Sequence, residues 1–102
     1  MELRQASSVE DAAGGLALHG GTEVVPLLRA GLLEAATLVD VRGVVPAGVS
    51  ATAVGAGATL AAIEASPAVP DVLREACRLA ASPQIRNAGS LAGNRLQETR
   101  CW

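Results

Sequence analysis

Glycine pairs and Ser-Pro steps cut this chain into short pieces, and that punctuation constrains its fold more than any other feature. Gly14-Gly15, Gly20-Gly21 and Gly31 interrupt the first third; Ser66-Pro67 and Ser82-Pro83 interrupt the second half. Glycine reaches backbone angles closed to other residues, and proline stops helices because it lacks an N–H and clashes with the preceding turn. Short elements joined by tight turns are the expected result.

Within those limits the residue pattern predicts an order of elements. Ser7-Ser8-Val9-Glu10 has the Ser-x-x-Glu spacing of a capping box, so a short helix is expected from near residue 8 until Gly14-Gly15. Leu16-Ala17-Leu18 reads as a buried strand running into His19-Gly20-Gly21-Thr22. From Glu23 to about Ala30, Val24, Leu27 and Leu28 recur at helical spacing, with Pro26 in the first turn and Gly31 as the stop. Ala36 to Val41 reads as a second strand, parallel to the first through a right-handed crossover. The turn-rich stretch from Gly43 to Gly48 marks a boundary, giving units 1–43 and 44–102. Ala51 to Ala56 reads as a further strand. Thr59 caps a helix through about Ala65, and Pro70 opens another from Asp71 to about Ala81, with Val69, Val72, Leu73, Ala76 and Ala80 on one face. The expected class is α/β.

Composition narrows the function. The chain has 102 residues, 50% of them hydrophobic, but Ala, Val and Leu carry that share and Trp102 is the only aromatic residue. Alanine buries little apolar area, so the core is expected to be thin and a longer protein or a partner is expected to complete it. The net charge is −2, and all eight basic residues are Arg. That balance, without aromatic residues interleaved among the arginines, argues against a nucleic-acid surface. Met1-Glu2-Leu3-Arg4 lacks a basic-then-apolar leader, no apolar run reaches membrane-spanning length, and the two cysteines are far apart. A cytoplasmic chain with reduced thiols and no membrane role is expected.

Two glycine stretches carry the candidate chemistry. Gln84-Ile85-Arg86-Asn87-Ala88-Gly89-Ser90-Leu91-Ala92-Gly93-Asn94 reads as a loop whose successive N–H groups form an anion site, deepened by Arg78, Arg86 and Arg95. His19-Gly20-Gly21-Thr22, between strand and helix, points donors at an anion or is an ordinary tight turn. His19 is the lone histidine and has no Cys, Asp or Glu at ligand spacing, so it reads as a loop residue rather than a metal ligand or base. Gly55-Ala56-Gly57-Ala58-Thr59-Leu60 begins like a dinucleotide fingerprint but has Leu60 where the third glycine belongs, which excludes a Rossmann site. Ser90 has no histidine nearby in sequence and no carboxylate pair stands out, so no catalytic residue is expected. Cys77 reads as a small buried hydrophobe, and Cys101, after Arg100, as a thiol with thiolate character that cannot hold a metal alone.

Taken together, Gly20-Gly21-Thr22-Glu23, then Val54-Gly55-Ala56-Gly57-Ala58-Thr59-Leu60, then Gln-Ile-Arg-Asn-x-Gly-Ser-Leu-x-Gly-Asn over 84–94 resemble the FAD-binding (medium) subunit of molybdenum hydroxylases. That group includes xanthine dehydrogenase, carbon monoxide dehydrogenase and aldehyde oxidoreductases. The tail from Ala92 to Cys101 is most similar to the aldehyde oxidoreductase branch. The resemblance implies the N-terminal part of a vanillyl-alcohol-oxidase-like (PCMH-type) FAD-binding domain: a small parallel β-α-β unit followed by the start of a second subdomain, with FAD between them. It implies that His19, Gly20, Gly21, Thr22 and Glu23 form one pyrophosphate loop and that Ser90, Leu91, Ala92, Gly93 and Asn94 form the other. Arg86 is expected to brace the second loop. Cys101 aligns with a cysteine beside the cluster-binding insertion of that branch, implying an iron–sulfur ligand in the full-length protein. The implied partners are a molybdenum-cofactor large subunit and a [2Fe-2S] small subunit, with export alongside a partner allowed. The implied activity is electron transfer from the clusters through FAD to an external acceptor. The expected length of such a subunit runs well past Trp102, so the rival expectation is a truncated, non-catalytic remnant without stable flavin binding.

Overall fold

A computed structural model describes residues 1–98. Strands β1 (Glu2–Gln5), β2 (Leu16–Leu18) and β3 (Thr37–Asp40) form one parallel sheet in the order β1-β3-β2. The central strand is the apolar one: Leu38 and Val39 are both buried. Register sets Leu3, Leu38 and Leu16 side by side on one face and Arg4, Val39 and Ala17 on the other. Helix α1 (Val24–Arg29) is the crossover between β2 and β3, ended by Gly31 at φ 70°. A second cover comes from Ala12 of a short 3-10 helix (Val9–Gly14), which packs on Ala6, Val39 and Val41.

Two details differ from expectation here. β1 has one apolar residue in four and is exposed throughout, so its own pattern carries no strand signal. Pairing with β3 creates it, flanked by bonds from Glu2 N–H to Ala36 O and from Ala6 N–H to Asp40 O, both 2.9 Å. The cap of the 3-10 helix is also shifted by one residue. The Asp11 carboxylate, not Glu10, accepts from the Ser7 N–H and hydroxyl at 2.8 Å each and from the Ser8 N–H at 3.2 Å. These bonds draw the Asp11 carboxyl below its usual range, the Ser7 backbone donor first.

Residues beyond Val41 hold no strand among those described. The expected strand over Ala51–Ala56 is instead a tight turn. Ser50 N–H donates to Ala53 O at 2.9 Å, Val49 and Val54 form a single antiparallel bridge, and Gly55 N–H donates to Gly48 O at 2.7 Å. Only one large side chain occurs in that stretch, too few to anchor a sheet edge. Four helices follow: α2 (Leu60–Ala65), α3 (Asp71–Leu79), α4 (Pro83–Ala88) and α5 (Leu91–Leu96). Three start on hydroxyl caps: Thr59 Oγ1, Ser82 Oγ and Ser90 Oγ accept from Ala62, Ile85 and Gly93 N–H at 3.1, 3.2 and 3.1 Å. Each such cap contributes about 1 kcal/mol.

The core of this half is Ile63, fully buried, with Ala58, Leu60, Val69 and Cys77, against which Leu73, Ala80 and Leu91 pack. Burying Ile63 stabilises the fold by roughly 1.5–3 kcal/mol. On α3 the inward stripe is therefore Leu73, Cys77 and Ala80, spaced i, i+4, i+7. Val72, expected inside, lies one residue off that stripe and is 78% exposed. Cys77 is buried as expected, and burial, with Glu64 adding to it, pushes its thiol up. No helix among the described residues is long and apolar enough to cross a membrane.

Candidate functional site

The carboxyl ends of the parallel strands are where ligands meet an α/β sheet, because the turns there present free N–H groups. β2 ends in His19-Gly20-Gly21-Thr22-Glu23, and this segment runs directly against the junction of α4 and α5. A Cβ built on Gly20 would stand 2.0 Å from Ala88 O and 3.2 Å from Gly89 N. Only glycine permits that approach. On the other side of the turn, a Cβ on Gly89 would lie 3.6 Å from Thr22 Oγ1, and Glu98 N–H donates to Glu23 Oε1 at 3.0 Å. Gly21 has φ 73°, the left-handed turn that starts α1.

Between these segments opens a cleft of about 810 Å³. Nine of the ten residues expected to hold cofactor line it: His19, Gly20, Gly21, Thr22, Glu23, Ser90, Ala92, Gly93 and Asn94. The tenth, Leu91, turns into the core beside Leu60 and Ile63 instead. The walls are apolar, built from Leu16, Val24, Val41, Val45, Leu60, Ile85 and Leu96. These come from separate elements, and no local pattern marks them as neighbours in the sequence.

The two segments do not offer the same donors. The N–H groups of Gly20, Gly21, Thr22 and Glu23 donate to no acceptor among the described residues. Those after Ser90 are occupied: Leu91 to Ala58 O at 2.8 Å, Ala92 to Ala56 O at 3.0 Å, Gly93 to Ser90 Oγ at 3.1 Å and Asn94 to Ser90 O at 2.9 Å. The expectation of main-chain donors from both stretches is thus corrected for the second. Residues expected as an open loop over 84–94 are mostly helical; Ala56 O and Ala58 O supply two of the acceptors and Ser90 the other two. What the second stretch retains is side-chain chemistry. The buried Ser90 hydroxyl already accepts from Gly93, which leaves its proton free to donate, and the Asn94 carboxamide lies at the rim.

The arginines are elsewhere. Among the described residues no Arg lines the cleft. Arg86 Nη1 donates to Ala80 O and Ala81 O at 3.0 Å each, and its Nε is 3.5 Å from Glu64 Oε2. It is a brace, but of the turn between α3 and α4, in which Ala81 sits at φ 50°, rather than of residues 90–94. Arg78 pairs with Glu75. The charged neighbour at the strand ends is Asp40, whose carboxylate takes the Arg42 side chain and N–H; this holds its carboxyl at about 2. Attraction for an anion therefore rests on backbone N–H groups and the Ser90 hydroxyl.

These features fit an FAD molecule. Four unpaired N–H groups in one turn suit a diphosphate, and the apolar walls suit flat ring systems, whereas no group of three His, Cys, Asp or Glu that could hold a metal occurs among the described residues. Cys101, the expected cluster ligand, lies outside the described residues.

Comparison with known proteins agrees with this geometry. Residues 2–100 match the family described as the FAD binding domain in molybdopterin dehydrogenase, and the chain belongs to that family. Among solved structures, the reconstituted CO dehydrogenase from Oligotropha carboxidovorans is 26% identical with a TM-score of 0.77, over 92% of this chain and 38% of that one. The carbon monoxide dehydrogenase from Hydrogenophaga pseudoflava that lacks the Mo-pyranopterin moiety is 24% identical, TM-score 0.79, over 93% and 39%. Quinoline 2-oxidoreductase from Pseudomonas putida 86 is 23% identical, TM-score 0.75, over 91% and 38%. The latter two speak to the fold alone. The chain spans only 38–39% of the length of these three matched chains.

Proposed function

We propose that this chain holds the diphosphate of FAD on the N–H groups of Gly20, Gly21, Thr22 and Glu23, as part of an electron-transfer unit of a molybdenum hydroxylase. The observation that carries the reading is a set of main-chain donors, without acceptors among the described residues, on four successive residues that line an apolar cleft. Ser90 and Asn94 close the site from the opposite wall by side-chain hydrogen bonds, and Leu91 anchors that wall in the core. Charge-assisted bonds of this kind contribute roughly 1.5–3 kcal/mol each, so four or five suffice to fix a doubly charged group without an arginine. Glu98 N–H donates to the Glu23 carboxylate and fixes its position beside the turn.

When bound, FAD supplies the redox chemistry, accepting and releasing electrons one or two at a time. The chain orients it and keeps water from its apolar side. Within such a complex the bound FAD would serve to pass electrons from the iron–sulfur clusters of a [2Fe-2S] small subunit, supplied by substrate oxidation at a molybdenum-containing large subunit, to an external acceptor. Cys101 is the candidate for a cluster ligand in that longer setting.

Titrating the purified chain with FAD and following flavin fluorescence tests the binding step. Saturable quenching is expected, with ADP displacing the bound FAD only at much higher concentration. No quenching with a folded chain would favour a remnant without a flavin site.

A further inference from the structure

His19 is the only histidine in the chain. It stands at the end of β2 in the cleft wall, with Nε2 toward Gly57, where an added Cβ would come within 3.1 Å. Its Nδ1 is buried and has no hydrogen-bond partner, and it is the one such side-chain atom among the described residues. The Asp40 carboxylate, at the end of the neighbouring strand β3, offers no relief: both its oxygens accept from Arg42. A buried ring nitrogen without a partner is destabilising, and groups left this way usually answer to something that binds. The residue as a whole is only partly buried and lines the cleft.

We propose that His19 is a cofactor-contacting residue whose Nδ1–H donates to an oxygen of the diphosphate–sugar chain of the bound dinucleotide. The assignment rests on the FAD reading above. In the free chain an orphaned lone pair costs less than an orphaned N–H, so the proton sits on Nε2. Binding supplies an acceptor at Nδ1 and moves the proton there, which makes the imidazole a reporter of occupancy as well as a contact.

The single imidazole makes the test unambiguous. Nitrogen-15 NMR of the intact chain is expected to show the Nε2–H form without ligand and a shift toward Nδ1–H as FAD is added. In fluorescence titrations His19→Ala is expected to weaken FAD binding about tenfold, the loss of one hydrogen bond. His19→Asn, whose carboxamide reaches the Nδ1 position, retains most of the affinity, while His19→Gln, which reaches the Nε2 position, behaves like the alanine variant. Wild-type chain that binds FAD with unmoved imidazole resonances, or with equal affinity after His19→Ala, overturns this assignment and leaves the FAD reading standing. Wild-type chain that binds no FAD overturns both.

Discussion

The two glycine stretches look alike in sequence and differ in what they do with their amides. In His19-Gly20-Gly21-Thr22-Glu23 four N–H groups along the cleft have no acceptor among the described residues, while Leu91-Ala92-Gly93-Asn94 has every N–H engaged. The first is a donor set and the second is a wall. Glycine serves a different purpose in each. Gly20 is small so that the two segments can touch, and Gly21 is glycine because its φ is positive. Gly93 fits against Ser90 Oγ, which would lie 3.0 Å from an added Cβ. Composition alone does not separate an anion cradle from a tightly packed helix start; only the location of acceptors does.

That contrast can be broken or sharpened by substitution. The largest effect is expected from Ile63→Ala, which empties the core beneath the second stretch and lowers unfolding free energy by about 2–5 kcal/mol in chemical denaturation. Hydrogen exchange should show α2, α3 and α5 losing protection before the sheet does. Gly20→Ala comes next. Its methyl meets backbone rather than a flexible side chain, so the segments must separate, at about 1–3 kcal/mol of stability and with loss of FAD quenching. A smaller gain is expected from Ala81→Gly, which relieves the left-handed strain at φ 50° and raises the denaturation midpoint by about 0.5–1 kcal/mol equivalent.

The smallest effect concerns pH. Asp40 titrates at about 2 in the folded chain against 3.8 ordinarily, the Arg42 side-chain hydrogen bonds being the main cause. A depressed carboxyl stabilises the fold fully above its unfolded value, and the contribution fades as pH falls from there through the folded one. Denaturation midpoints measured between pH 5 and 2 should therefore fall less steeply for Asp40→Asn than for wild type.

How much of this was readable beforehand depends on range. Local signals held: Thr59 caps the helix it precedes, and Gly31 ends α1, whereas Ser82, read only as a stop, also caps α4. β2, α1 and β3 follow from apolar spacing within a few residues. What needed a distant partner did not show. β1 has no strand pattern until β3 lies beside it. The acceptors Ala56 O and Ala58 O lie far back along the chain from the amides they occupy, so residues 89–94 read as an open loop. Val72 and Leu73 differ by one helical step, and the packing of α2 decides which is buried. Of the site, the glycines and Ser90 were legible by type, whereas the apolar walls and the orphaned His19 nitrogen emerge only from assembly.

The most direct measurement is amide hydrogen exchange, residue by residue, with and without FAD. Leu91 to Asn94 should be protected before any ligand is added and change little afterward, while Gly20 to Glu23 should exchange freely and become protected on binding. Protection gained at 91–94 with none at 20–23 would reverse the roles assigned to the two stretches and contradict the account.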